Sequence, residues 1–371
     1  MQIGIDKISF YIPNRYIEMT DLAEARGVDP AKFHIGLGQD QMAVTTASED
    51  IITLAANAAE QILTAEDRNA IDLVIVGTES SVDESKAAAV VLHDLLGIQP
   101  FARAYEIKEA CYGATAALQQ AKQYVAAHPE RKALVIASDI ARYGLNSGGE
   151  PTQGAGAVAM LVSANPGILA LENDSVPLTQ DIYDFWRPTG EAFPRVEGKL
   201  SNETYINSFA RVWEEYKRRT GLDFSDFAAL AFHTPYTKMG KKALQPLTDD
   251  AHLFAEFEKA IAYNRRVGNL YTGSLYLSLI SLLENSSDLT AGDRIGLFSY
   301  GSGTVAEFFS GKLVAGFEKN LRTEAHRQLL DSRQSLTVSE YERIFSSTEI
   351  LPSSEKFSLR EITDGVRFYN N

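Results

Sequence analysis

Short, continuous apolar runs alternate along the chain with stretches of helical periodicity. Ile71–Gly77 (IDLVIVG), Ala133–Ser138 (ALVIAS), Ala157–Val162 (AVAMLV), Phe227–Phe232 (FAALAF) and Arg294–Tyr300 (RIGLFSY) read as strands buried on both faces. Apolar positions at helical spacing predict helices over Glu49–Leu63, Tyr112–Ala127, Asn202–Arg219, His252–Tyr263 and Gly273–Asn285, with Thr46 or Ser48 capping the first. The alternation predicts an α/β fold. No low-complexity or Pro/Gly/Ser-rich stretch separates the elements, so any domains pack closely.

A weak internal repeat sharpens this. IDLVIVGTES (Ile71–Ser80) resembles DFAALAFHTP (Asp226–Pro235), 155 positions later, and ALVIASD at Ala133 resembles the stretch opening at Arg294, 161 positions later. The helix opened by Cys111 has a counterpart near Gly273. Similar offsets for successive elements predict two copies of one α/β unit. Glu79 and His233 then close equivalent strands, while Cys111 and Asn269 fall at equivalent strand-to-helix junctions. Ligands of α/β sheets gather beyond such strand ends, so the four residues converge on a pseudo-twofold axis.

At 371 residues the chain is long enough for about two domain-sized units. Its 35 Lys and Arg against 49 Asp and Glu give a net charge of −14, which argues against a duplex nucleic-acid partner. A local basic patch for one phosphate-bearing ligand remains compatible with it. No apolar run approaches the ~18–20 residues of a membrane span, and the first residues lack a secretory signal, so a soluble cytoplasmic protein is expected. The single cysteine forms no intrachain disulfide and supports no Cys-rich zinc site.

That cysteine, Cys111, lies where an extended stretch (Ala104–Lys108) gives way to an Ala-rich helix. It is either packing or a nucleophile whose thiolate the helix start favours. His233 ends a strand, Pro235 stops it, and a helix is expected from Tyr236. Lys238 and Lys242, one helical turn apart, are either a solvated face or a phosphate contact. Glu79, before a helix expected near Asp83, is either a loop carboxylate or a base activated by desolvation. Glycine-rich turns at Gly144–Gly149, Gly154–Gly156 and Gly301–Gly303 lack nucleotide-fingerprint spacing but offer N–H groups to an oxyanion.

Cys111, His233 and Asn269, in that order on a duplicated framework, resemble the thiolase-like condensing enzymes. Within them the match is to the bacterial 3-hydroxy-3-methylglutaryl-CoA synthases. The matching stretches are Glu109-Ala-Cys-Tyr-Gly-Ala-Thr, Ala137-Ser-Asp-Ile-Ala-Arg-Tyr, Asp184-Phe-Trp-Arg-Pro, Phe232-His-Thr-Pro-Tyr-Thr-Lys, Gly268-Asn-Leu-Tyr-Thr-Gly-Ser-Leu-Tyr and Ser299-Tyr-Gly-Ser-Gly. The resemblance implies a five-layer αβαβα fold of two pseudo-twofold halves, residues 1–165 with Glu79 and Cys111 and residues 166–371 with His233 and Asn269. It implies a homodimer without metal or prosthetic group, condensing acetyl-CoA with acetoacetyl-CoA by a ping-pong route in the mevalonate pathway.

By the same resemblance Cys111 is the acetylated nucleophile, Glu79 the general acid/base, and His233 the residue orienting acetoacetyl-CoA. Lys238 and Lys242 match coenzyme A contacts. Asn269, Tyr143, Ser302, Asp139 and Asp184 match positions lining the acyl pocket and pantetheine tunnel, the two aspartates as contacts or as loop supports. The stretch after Gly311 carries no matched motif. Two rivals stand beside this reading. A type III ketoacyl synthase shares Cys, His and Asn, but decarboxylation makes its carbanion without a base such as Glu79. A non-catalytic scaffold would have no use for nucleophile and base together.

Overall fold

Ten strands form one mixed sheet in the computed structural model, which describes all of Met1–Asn371. In chain order they are β1 (Ile3–Tyr11), β2 (Ile71–Gly77), β3 (Arg103–Ile107), β4 (Lys132–Ala141), β5 (Gly154–Ala164), β6 (Leu169–Leu171), β7 (Val176–Thr179), β8 (Ala229–Phe232), β9 (Arg294–Gly301) and β10 (Val305–Leu313). The helices that matter here are α1 (Ile51–Glu60), α2 (Ala88–Leu95), α3 (Gly113–Ala127), α4 (Gly198–Thr220), α5 (Met239–Leu244), α6 (Ala251–Ala260) and α7 (Ser274–Asn285).

The sheet repeats one pairing pattern. β2 pairs parallel to β4, which pairs antiparallel to β5, itself antiparallel to β1. In the second half β8 pairs parallel to β9, β9 antiparallel to β10, and β10 antiparallel to β6 and β7. Gly77 stands opposite Ala137, and Phe232 opposite Phe298. These partners carry the offsets of the sequence repeat through to the register. The halves join where β6 also pairs with β1.

Strand side chains alternate between two faces and set the layers. Val74, Val76, Leu134 and Ile136 pack outward with Leu54 of α1 and Leu92 of α2. Leu73, Ile75 and Val135 face a central layer containing Leu118 of α3 and Leu279 of α7, with Ala231 and Leu297 on its far side. Phe232, Phe298 and Phe308 turn outward under Phe209 and Trp213 of α4 and Phe257 of α6. The stack is therefore helix, half-sheet, helix, half-sheet, helix. α3 and α7, the two helices nearest the pseudo-axis, are clamped between the half-sheets.

Several local expectations shift. The cap of α1 is Asp50, which accepts from the Ile52 and Thr53 N–H groups in a capping box; Ser48 instead donates to the Leu351 carbonyl. The helix after Glu79 begins at Ala88, because Asp83 spends its carboxylate on the Ser85 and Lys86 N–H groups in a turn. The helix after His233 begins at Met239 rather than Tyr236. Gly154–Gly156 is no turn but the start of β5, paired with Asp139–Ala141. The C-terminal stretch straps back over the first half: Gln334–Leu336 pairs with Arg15–Ile17, and Tyr369 donates to Asp50. The helix Thr323–Asp331 inserts His326 between Ser9 and Glu284.

Candidate active site

Two matching elbows feed the central helices. Before α3 the backbone passes through Ala110 at φ +40°, and before α7 through Tyr271 at φ +44°, each three residues ahead of the first helical residue. Left-handed backbone at residues with a β-carbon is strained and persists only where its surroundings impose it. Here the imposing contact is the turn after β9. A Cβ added to Gly301 would meet the Glu109 carbonyl at 2.6 Å and the Tyr112 nitrogen at 2.7 Å, so only glycine lets that turn seat on the elbow. The elbow register pairs Cys111 with Thr272, three residues from the expected partner Asn269.

Cys111 sits half-buried just ahead of α3, and its thiol donates to Glu79 Oε1 at 3.0 Å. Glu79 ends the segment following β2. Arg187 donates to its carbonyl at 2.7 Å, and its own N–H donates to Asp139 at 2.9 Å. Burial, then the nearby Asp139 carboxylate, raises the Glu79 carboxyl to about 8. Burial also pushes the Cys111 thiol up, helped by Glu79, Asp139 and Asp184. The expected pull of the helix start toward a thiolate is thus opposed by burial and by the carboxylates around the sulfur, and the thiol donates to Glu79.

Cys111, Tyr143, His233, Asn269 and Ser302 line one cavity of about 540 Å³, together with Phe185, Tyr205, Tyr236 and Tyr271. That volume suits an acyl group with part of a longer chain. His233 is 1% exposed; its carbonyl accepts from Tyr205 at 2.6 Å, and its Nδ1 has no partner. Burial lowers its imidazole to about 3, so the ring is neutral. Asn269 Oδ1 accepts from the Tyr271 N–H at 2.8 Å and from the Ser274 hydroxyl at 2.9 Å, which fixes the amide and leaves its NH2 for the cavity. Its backbone crosses β5 at Gly154, where a Cβ would stand 2.7 Å from both the Asn269 nitrogen and oxygen. The N–H groups of Cys111 and Ser302 lie outside the backbone hydrogen bonds of elbow and turn.

The remaining candidates stand elsewhere. Asp139 is fully buried and does not line this cavity: Oδ1 accepts from the Thr78 and Ser80 hydroxyls and the Glu79 N–H, and Oδ2 from the Thr272 N–H and hydroxyl. Asp184, also fully buried, accepts from the Tyr300 hydroxyl at 2.7 Å and the Gly303 N–H at 2.9 Å. Both carboxylates accept from donors on separate loops, the loop-support alternative of the two expected for them. Lys238 and Lys242 lie outside the cavity, near its rim. Lys238 donates to the Ile35 carbonyl, and Lys242 donates to the Tyr236 hydroxyl at 2.9 Å.

Sequence reasoning passed over Tyr205, Arg187 and Tyr271. Arg187 and Tyr271 belong to quoted stretches, yet nothing in their spacing marks the backbone contact of one or the strained φ of the other.

Two family models match the chain: "Hydroxymethylglutaryl-coenzyme A synthase N terminal" over residues 1–167, and "Hydroxymethylglutaryl-coenzyme A synthase C terminal" over residues 175–254 and 250–366. A hydroxymethylglutaryl-CoA synthase of Enterococcus faecalis is 66% identical, with 100% of both chains covered. A polyketide-biosynthesis 3-hydroxy-3-methylglutaryl-ACP synthase of Bacillus subtilis is 32% identical, over 93% of this chain and 88% of that protein. Among solved structures, an HMG-CoA synthase complexed with CoA superposes with a TM-score of 0.98 at 47% identity, covering 100% of both chains. The fold is thus thiolase-like, as the layers indicate.

Proposed function

The chain belongs to the hydroxymethylglutaryl-CoA synthase family of acyl-transferring condensing enzymes, and we propose that it carries the family reaction on Cys111, Glu79 and His233. The substrates are acetyl-CoA and acetoacetyl-CoA, and the product is 3-hydroxy-3-methylglutaryl-CoA for the mevalonate pathway. The observation that carries this is the 3.0 Å contact between the Cys111 thiol and Glu79 beside a neutral, unpartnered imidazole. A homodimer in the cytoplasm, built of halves dividing at residues 165 and 166, completes the reading. No helix is long and apolar enough to cross a membrane.

The Cys111 sulfur attacks acetyl-CoA, the N–H groups of Cys111 and Ser302 hold the oxyanion, and the thiol proton leaves with CoA as its free thiol. Glu79, with its raised pKa, next removes a methyl proton from acetyl-Cys111. The carbanion attacks the ketone of acetoacetyl-CoA, whose oxygens are held by His233 and Asn269, and Glu79 returns the proton to the new alkoxide. A neutral imidazole suits this role, since it holds oxygens by hydrogen bonding without trapping the alkoxide as an ion pair. Hydrolysis then frees Cys111. Tyr143 walls the acyl end, and Lys238 and Lys242 meet coenzyme A phosphates at the rim. Identity of 66% over the whole length to a CoA-using relative, against 32% to a carrier-protein one, favours CoA as the acyl carrier.

The test is intact-protein mass after acetyl-CoA alone. The wild type gains one acetyl group, about 42 Da by its atomic composition, and loses it on adding acetoacetyl-CoA. Cys111→Ser gains none. Labelling retained in Cys111→Ser removes the nucleophile from the reading, and an acetyl group discharged only by a carrier-bound acceptor replaces CoA with a carrier protein.

A further inference from the structure

Glu79 has a second outlook. It lines another cavity, of about 250 Å³, that none of Cys111, His233, Asn269 or Ser302 lines. Phe185 and Tyr271 wall both cavities, their rings 6.0 Å apart at 68°, and form the partition beside which Glu79 reaches Cys111. Polar residues Thr45, Thr46, Glu49, Ser80, Ser81 and Arg142 line the second cavity, and it opens to solvent among Ser81, Arg187, Ala192 and Ser347, all exposed. Its volume holds about eight waters at liquid density.

The chemistry gives such a chamber a task. On the function proposed above, the last step hydrolyses the thioester on Cys111 while the pantetheine arm of the condensed product still fills the larger cavity. Water cannot then follow the substrate's path. We propose that the second cavity is the water and proton port of Glu79, feeding the hydrolytic step from the side opposite the substrate. In that step the water oxygen bonds to the acyl carbon and one water proton passes to Glu79. The carbon–sulfur bond breaks, the leaving sulfur takes the proton back from Glu79, and the carboxylic acid loses its remaining proton through the port. The partition serves timing as well. Glu79 has water behind it throughout, but Phe185 and Tyr271 screen acetyl-Cys111 from bulk solvent before condensation.

Filling the port tests this without touching the substrate cavity, since Ala47 and Ala192 line only the second one. Ala47→Phe and Ala192→Trp are compared with wild type by quenched-flow intact mass, after acetyl-CoA and then acetoacetyl-CoA. The expected result is acetylation within twofold of wild type and at least a tenfold slower final discharge. The covalent adduct carrying the condensed acyl group and its CoA then accumulates. Discharge at the wild-type rate overturns the port. Ala192 is exposed, so Ala192→Trp decides the matter if Ala47→Phe does not fold. The function itself fails differently: wild type would then not acetylate at all.

Discussion

Asp139→Asn separates positioning from stability. Two opposing effects set its cost. Burial raises the Asp139 carboxyl from an ordinary value near 3.8 to about 6, against its own hydrogen bonds from Thr272, Ser80, Glu79 and Thr78. Two units correspond to about 3 kcal/mol that ionised Asp139 costs the fold at neutral pH, and asparagine removes this cost. In exchange the new NH2 faces the Thr272 N–H and hydroxyl. The hydroxyl keeps an acceptor in the Gly77 carbonyl at 2.9 Å, so one buried N–H is orphaned, for about 1–3 kcal/mol. The net change in stability at pH 7 is close to zero.

The sign with pH follows. A carboxyl whose folded pKa is raised destabilises progressively as pH climbs from its unfolded value to its folded one, so wild type loses this stability between about pH 4 and 6 and the asparagine variant does not. The variant is therefore the less stable of the two at pH 4 and close to wild type at pH 7. Catalysis suffers at both. The elbow segment carrying Tyr271 shifts, and a displacement of about 1 Å at the reacting atoms costs on the order of 10²-fold in condensation rate. Loss of the Asp139 charge also lowers the apparent pKa of the Glu79–Cys111 pair, moving the acid limb of kcat/KM to lower pH. Thermal unfolding at pH 4 and 7, with a pH–rate profile, checks all three. An unmoved acid limb at the wild-type rate would refute the role of Asp139.

Other perturbations report on single groups. Glu79→Gln keeps acetyl labelling from acetyl-CoA but loses 10²- to 10⁴-fold in condensation, measured by acetoacetyl-CoA consumption; equal loss of both steps makes Glu79 structural. His233→Ala raises the KM for acetoacetyl-CoA. Because burial holds the imidazole down to about 3, the wild-type profile has no histidine limb between pH 5 and 8 that the variant could lose. Lys238→Ala with Lys242→Ala raises the KM for both thioesters by up to about fivefold at low salt and leaves kcat alone, as rim charges worth about 1 kcal/mol or less do. A fall in kcat instead would place them inside the reaction.

What the chain discloses at the level of pattern is its repeat. Runs such as IDLVIVG and RIGLFSY are buried on both faces, so their apolar character survives any error of register and marks the strands directly. The helix starts are harder to read, because side chains decide them locally. Asp50 takes the cap from Ser48 by closing a box with Thr53, and Asp83 captures the turn where a helix was expected. At the site, types and order single out Cys111, His233 and Glu79. Burial decides the rest: the same residue type that could line a tunnel, aspartate, turns out at 139 and 184 to hold loops, because each carboxylate is surrounded by donors from segments far apart in sequence.

The two elbows show how a duplicated framework becomes one asymmetric site. Their geometry is the same, Ala110 and Tyr271 sharing a strained φ three residues ahead of α3 and α7. Their next residues differ in a single respect that matters. Cys111 points a thiol at Glu79, whereas Thr272 turns its hydroxyl and N–H onto Asp139. Asp139 is the same group that receives the Glu79 N–H, so the second elbow is tied directly to the segment whose carboxylate faces the thiol of the first. One copy keeps the proposed nucleophile, and the other braces the segment beside it. A strained, buried elbow can hold a thiol within 3.0 Å of a carboxylate only if that carboxylate cannot retreat, and the brace from the second half denies it the room.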